Sequence, residues 1–377
     1  MNFFNDFKKN LEGQYEECTA YRELCKREGF NPFNDLKTEE DLQFVPFIMT
    51  TSFKRSYGLF TKLLRVGVDE VYKWTVSSST SGDPSIVARS KEDIESLRKF
   101  VLEDEIRHRA ERDYECTFFP RAEEMKAFNR GLFLNKVCES YLGNIVDIYT
   151  YLEQTIFLLK LQDGKMILDI EPFIQYIKEH NGKNHRAALG GSTPLIFKTV
   201  LNLKEKMKPV ELGDRAILHT GGGGWDGRKG NINIGALIER WRFVEEVSNF
   251  LGIPQENFTD TYSFTENSFT MTGHYSREHR DYLFHVPEFA RVIVRDIKTL
   301  KPVKEGERGF IQVLNAYGTS AFAGASILVD DIGEVVSYTH CPECGYKGMV
   351  IKLLGRVKGT EAKGCGATLG GDGVGNN

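Results

Sequence analysis

The stretch Arg215-Ala-Ile-Leu-His-Thr220 reads as a short buried strand that runs directly into four glycines, Gly221, Gly222, Gly223 and Gly224. An amphipathic helix follows, with Leu237, Ile238, Trp241, Val244, Val247 and Leu251 on one face, and it stops at Gly252-Ile-Pro254. Strand, glycine turn and helix in that order belong to an α/β protein, in which a helix carries the chain across to the next parallel strand. Glycines at the carboxyl end of such a strand let the backbone approach a planar or anionic ligand closely. The other reading of the segment is a flexible loop.

The rest of the chain agrees with an α/β class. Residues 3–30 are expected to be helical, since Phe3, Phe7, Leu11, Tyr15, Cys18, Tyr21 and Cys25 recur at helical steps. Ser90-Lys-Glu-Asp93 resembles a capping box and opens a charged helix to about 111, and Thr193-Pro194 opens another. Strands are expected near 258–262, 309–315, 324–330 and 349–354. The 49 basic and 53 acidic residues leave a formal charge of −4, no footprint for nucleic acid or an anionic membrane surface. No apolar run approaches the ~20 residues that span a bilayer. The start, Met1-Asn-Phe-Phe-Asn-Asp-Phe, has no apolar core of a signal peptide, and seven cysteines are odd and sparse. Both point to a reducing cytoplasm. The glycine-rich end is expected to be mobile.

Three further segments carry candidate chemistry. Ser77, Ser78, Ser79, Thr80, Ser81 and Gly82 precede Asp83-Pro84 and form a donor-rich turn suited to phosphate oxygens, without the Walker lysine. Thr259-Asp-Thr-Tyr-Ser-Phe-Thr-Glu266 offers an aromatic, Tyr262, for a base and a carboxylate, Glu266, for Mg²⁺. Leu328-Val-Asp-Asp-Ile-Gly333 closes an apolar strand with two acids that suit sugar hydroxyls. Singly, these read as a polar loop, a strand end and a turn.

In this order and spacing the segments resemble the acyl-adenylate-forming superfamily. Its serine/threonine–glycine phosphate loop, glycine turn, tyrosine–threonine–glutamate string, aspartate and Gly-Arg pair correspond here to Ser77–Ser85, Gly221–Gly224, Tyr262–Glu266, Asp330–Gly333 and Gly355-Arg356. The branch it is most similar to is the acyl-protein synthetases of the bacterial bioluminescence fatty-acid reductase system. Val45-Pro-Phe, Thr51-Ser-Phe-Lys54, Leu300-Lys-Pro-Val-Lys-Glu-Gly306 and Lys363-Gly-Cys365 carry that likeness, which runs from about 45 to 368. The resemblance implies the large N-terminal domain of these enzymes, mixed β-sheets flanked by helices, with the usual C-terminal domain lacking. The expected organisation is a helical segment over 1–45, the adenylate-forming domain over 46–356, in several lobes, and a short tail over 357–377 carrying Cys365.

The resemblance also implies the chemistry. A carboxylic acid, a fatty acid in this branch, is converted with ATP and Mg²⁺ to an acyl-adenylate and transferred to Cys365 as a thioester. An acyl-CoA-reductase-type protein would receive it. Glu266 would hold the metal, the Ser77–Gly82 loop the phosphates and Asp331 the ribose, with Gly221–Gly224, Tyr262, Thr265 and Arg356 also among the nucleotide-binding residues. Departures are Ser79 for glycine, Ser85 for the motif lysine and Lys358 for the acid after Gly355-Arg356. No counterpart of the C-terminal-domain lysine is evident. Cys365 lies nine residues past Arg356, within ~30 Å of extended chain. The alternatives are transfer to coenzyme A, as in phenylacetate-type ligases, and a non-catalytic adenylate-binding or scaffold subunit. Self-association is left open.

Cys341-Pro-Glu-Cys344, with His340 beside it, is half of a zinc knuckle and needs a further ligand. Its other reading is a turn with two spare thiols. Cys18, Cys25, Cys116 and Cys138 read as core residues, His108 as a solvated helix position, and His274 and His279 as loop residues.

Overall fold

A computed structural model describes residues 2–77, 83–108, 112–128, 131–150, 152–163, 165–221, 238–356 and 374–376. Its centre is a twelve-stranded mixed sheet. Ile156–Phe157, Tyr114–Phe118, Ala187–Gly191, Ile217–Gly221 and Phe258–Tyr262 lie side by side in parallel. The sheet then turns antiparallel through Met271–Ser276, Asp281–His285, Val350–Arg356, Ser326–Ser337, Arg308–Asn315 and Ala290–Arg295. Ile48–Met49 adds a short parallel edge to Ser326–Ser337. All five residues of Ala187–Gly191 are buried, as a parallel strand covered on both faces requires.

The helices start and stop for local reasons. Ser90 and Asp93 form the reciprocal capping box ahead of the helix Lys91–His108: the Asp93 amide donates to Ser90 Oγ (3.0 Å) and the Ser90 amide to Asp93 Oδ2 (3.1 Å). Asp93 also accepts from the amides of Ser320 and Ala321, which ties this helix start to a distant turn. Pro194 sits in the first turn of Thr193–Lys204, and Gly252 ends Arg240–Leu251 with φ 62°. The single helix expected over 3–30 is two, Phe3–Glu17 and Thr19–Glu28. Cys18 between them is extended, and this break lets Phe7 and Leu11 of one helix and Tyr21 and Cys25 of the other all reach the core.

The N-terminal helices are not a unit of their own. One apolar cluster runs from Phe3 to Leu353. Arg65 donates to Asn10 Oδ1 (2.6 Å) and to the Thr319 carbonyl (2.9 Å), and Asn10 donates to the Asn315 carbonyl (2.9 Å). The boundary expected at 45 is therefore a change of secondary structure, not of core. Among the described residues there are two smaller sheets besides the main one. One joins Ile86–Arg89, Lys73–Val76, Lys136–Ser140 and Gly131–Phe133. The other pairs Val374–Asn376 in parallel with Lys165–Leu168, so the end of the tail expected to be mobile joins a sheet. Asp330 and Asp331, expected to close a strand, lie inside the twelve-residue strand Ser326–Ser337. Among the described residues, no helix is long and apolar enough to cross a membrane.

Candidate active site

A cavity of about 1270 Å³, mouth included, opens at the carboxyl ends of the parallel strands. Thr117, Gly190, Gly191, Thr220, Gly221 and Thr261 line it from four neighbouring strands. This is where ligands enter open α/β sheets. Gly191 has φ 123°, and a Cβ there would fall 2.8 Å from Phe118 Cβ, so only glycine lets the two strands meet at this rim. The Gly190-Gly191 pair was not singled out in the sequence, since two glycines before a helix are ordinary punctuation. His219 stands beneath the rim, its two ring nitrogens each 2.7 Å from a threonine hydroxyl, Thr259 and Thr261.

The acidic wall comes from the antiparallel half. Asp331 and Arg356 face each other in register on adjacent strands. Arg356 Nε donates to Asp331 Oδ1 (2.7 Å), and the Tyr262 hydroxyl donates to Asp331 Oδ2 (2.8 Å). Asp330 Oδ1 lies 3.7 Å from the Arg356 guanidinium. Burial alone would lower the Arg356 pKa, but Asp331 and Asp330 together hold it above its ordinary value. Burial, then Asp331, pushes the Tyr262 phenol well above its usual range, so it is a fixed donor.

Tyr262 thus serves the acid rather than the wall. From the segment Tyr262–Glu266 the aromatic that lines the cavity is Phe264, with Ser263, Thr265 and Glu266 beside it. Glu266 is buried. The turn that carries it is held by Arg89, a residue the sequence reading missed. Arg89 donates to the carbonyls of Thr265 (2.8 Å), Asn267 (2.7 Å) and Gly318 (2.7 Å), with its guanidinium over the Phe322 ring. Burial lowers the Arg89 pKa, and Asp93, Tyr141 and Glu266 work against that shift. Nothing local marks such a role, because the three acceptors lie 176 to 229 residues away in sequence.

The stem of the serine-rich loop is closed by its own ends. The Ser77 amide donates to the Ser85 carbonyl (3.1 Å) and the Ser85 amide to Ser77 Oγ (2.9 Å). Asp83 is pinned by the Ser56 amide (2.9 Å) and hydroxyl (2.6 Å). Ser77 and Ser85 line the cavity. Ser78, Ser79, Thr80, Ser81 and Gly82, then Gly222, Gly223 and Gly224, and finally Cys365 lie outside the described residues. Phe119 and three residues of the helix Tyr141–Tyr149, Leu142, Ile145 and Val146, give the cavity an apolar part of its lining.

Away from the cavity, Cys341 and Cys344 do not gather His340. That residue is exposed and hydrogen-bonds Thr339. The histidines beside the thiols are His274 and His285, on the strands Met271–Ser276 and Asp281–His285. His274, expected in a loop, is a strand residue whose Nε2 is 3.3 Å from Cys341 Sγ.

The family model described as "Acyl-protein synthetase, LuxE" matches residues 2–106 and 173–372. The chain belongs to the acyl-protein synthetase family. It is a ligase by that membership, with the α/β fold of acyl-adenylate-forming enzymes. It is 25% identical over 358 residues to the long-chain-fatty-acid–luciferin-component ligase of Aliivibrio fischeri, covering 94% of this chain and 84% of that relative. The Vibrio harveyi protein of the same name is 24% identical over 357 residues, with the same coverage. A 2-hydroxyisobutyryl-CoA ligase in the postadenylation state has the same fold, with a TM-score of 0.64 at 15% identity, over 94% of this chain and 67% of that one. The matched segments of the family include Tyr262, Glu266, Asp331 and Arg356, whereas the apolar wall on Tyr141–Tyr149 falls in the unmatched 107–172.

Proposed function

We propose that this synthetase activates a fatty acid as its acyl-adenylate and carries the acyl group on Cys365 for delivery to a reductase-type protein. The observation that carries the reading is that Asp331, fixed by Tyr262 and Arg356, lines one cavity together with Arg356, Glu266 and the apolar side chains of Phe119, Leu142, Ile145 and Val146. A carboxylate accepts up to about four hydrogen bonds. The two protein donors on Asp331 therefore orient it for the ribose hydroxyls of ATP. Phe264 offers a face to the adenine, and the Ser77, Ser85 and Thr265 hydroxyls offer donors to phosphate oxygens. The Glu266 carboxylate among these hydroxyls is the oxygen set that Mg²⁺ takes, and the ion would neutralise charge on the phosphates.

In the first step a carboxylate oxygen of the acid attacks the α-phosphorus, the bond to the β,γ-phosphates breaks, and pyrophosphate leaves. In the second the Cys365 thiolate attacks the carbonyl carbon, the anhydride carbon–oxygen bond breaks, and AMP leaves. Leu142, Ile145, Val146 and Phe119 suit an alkyl chain, because burying each methylene contributes about 0.8 kcal/mol. Acid choice would then reside in the segment that the family model leaves unmatched, and ATP use in the matched ones.

The test is intact-mass analysis of the full chain after incubation with ATP, Mg²⁺ and acids from acetate to palmitate, with and without coenzyme A. The expected product is one hydroxylamine-labile acyl group, absent from Cys365→Ser, which keeps acid-dependent pyrophosphate exchange. Acyl-CoA formation by Cys365→Ser at the wild-type rate would replace this reading with the coenzyme A ligase. Neither exchange nor acylation in the wild type would leave a non-catalytic subunit.

A further inference from the structure

We propose that His274, His285, Cys341 and Cys344 form a four-ligand structural zinc site that clamps the Cys341–Cys344 turn onto the hairpin beneath it. One ligand atom from each of the four lies within 4.8 Å of every other. A tetrahedral ion with Zn–S near 2.3 Å and Zn–N near 2.05 Å needs nitrogen-to-sulfur edges of about 3.6 Å. Two of these edges are 3.3 Å, His274 Nε2 to Cys341 Sγ, and 3.5 Å, His285 Nε2 to Cys344 Sγ. Two imidazoles and two thiols are the ligand set of a closed structural site, with no position left for substrate.

The fold builds each half separately. His274 pairs with Leu283 across the Met271–Ser276 and Asp281–His285 hairpin, and His285 lies two residues beyond Leu283. Side chains opposite each other and at i+2 share a face, so both imidazoles rise from one side of the hairpin. The cysteines come on a tight turn in the connection between Ser326–Ser337 and Val350–Arg356. The Gly345 amide donates to the Cys341 carbonyl (3.1 Å), the Cys341 amide donates to the Tyr346 carbonyl (2.7 Å), and Gly345 takes φ 73°. Tyr346 also stacks on the His285 ring at 4.4 Å and 7°, and its hydroxyl donates to the Val286 carbonyl (2.7 Å). Such partners fix ring orientation around a metal. Leu283 and Val350 pack with Cys341 as a separate small apolar cluster and keep that side dry.

Binding would release two thiol protons to solvent and leave a neutral site of one Zn²⁺ and two thiolates. The strands joined by the clamped turn carry Asp331 and Arg356, so the ion would stiffen the nucleotide side from outside the cavity. The competing reading of a Cys-x-x-Cys pair is a reversible disulfide, which gives no reason for two histidines at these distances.

The experiment uses the full chain purified without chelator. Elemental analysis is expected to find about one zinc per chain, retained in His340→Ala and lost in Cys344→Ser and His274→Ala. Removing the metal from wild type with a chelator should lower the melting temperature, and zinc should restore it. Cobalt(II) added to metal-free wild type should give the intense visible bands of a tetrahedral site with thiolate charge transfer, a readout that needs no variant to fold. Zinc-free protein with an octahedral cobalt spectrum, loss of metal in His340→Ala, or a Cys341–Cys344 disulfide formed with zinc in excess would each overturn the site.

Discussion

The Tyr262 hydroxyl reaches Asp331 across 2.8 Å, although three strands lie between their own along the sheet. Four flat steps of ~4.8 Å would hold the two strands about 19 Å apart. The sheet therefore curls until its antiparallel half faces the carboxyl end of Phe258–Tyr262. That curl brings the acid pair and Glu266 onto one cavity.

Removing this bond tests its value. Tyr262→Phe takes one donor from a buried carboxylate, and a hydrogen bond to a charged group contributes about 1.5–3 kcal/mol. Denaturant unfolding should show a loss in that range, and KM for ATP should rise several-fold. Unchanged stability and KM would mean the contact contributes nothing.

Asp331→Asn should weaken ATP binding by about 1–3 kcal/mol, roughly 5–150-fold. The substitution keeps the shape beside the half-buried Arg356 while removing the charge. Titration with ATP in the absence of acid checks this. Unaltered affinity would assign the ribose to Asp330 or to neither acid.

Glu266→Gln should keep the fold and abolish most acid-dependent pyrophosphate exchange, because a neutral amide is a poor ligand for a hard cation. The thermal midpoint should stay close to wild type, and raised Mg²⁺ should recover part of the rate. Wild-type exchange would remove Glu266 from the site.

Arg89→Lys replaces a planar fork serving three carbonyls on two segments with a single ammonium. We expect a loss of about 2–4 kcal/mol, the scale of breaking a buried network, together with slower exchange. A stable variant with slow exchange still supports a positioning role. A stable variant with full exchange excludes it.

Ile145→Trp fills the apolar wall from the helix Tyr141–Tyr149. Activity with long acids should fall roughly 5–150-fold relative to short ones, since overpacking costs about 1–3 kcal/mol. The ratio of kcat/KM for palmitate and butyrate measures it, and an unchanged ratio would place the acyl chain elsewhere.

The groups proposed for the nucleotide could be picked out in the sequence because each part is contiguous in the chain. Tyr262 to Glu266, Asp330-Asp331 and Gly355-Arg356 are short strings whose residue types carry their chemistry. The α/β class was legible from strand, glycine and helix punctuation, and the strands over 258–262 and 309–315 fall where periodicity put them to within a residue.

What the tertiary structure decided is which of those side chains meet. Tyr262 reads as a surface for a base, but curl and register turn it under Asp331 and leave Phe264 on the wall. His340 is the nearest imidazole to Cys341 in the sequence. It bridges Lys347 across the turn and is exposed, while His274 and His285, more than fifty residues upstream of the turn, rise to the thiols because strand pairing puts them on one face. Arg89 serves carbonyls 176 to 229 residues away. Periodicity and capping are properties of a few consecutive residues, so the chain alone determined its elements and the kinds of group they carry. Convergence across strands depends on register and on the curl of a sheet that closes only when its distant parts pack, and no local pattern encodes that.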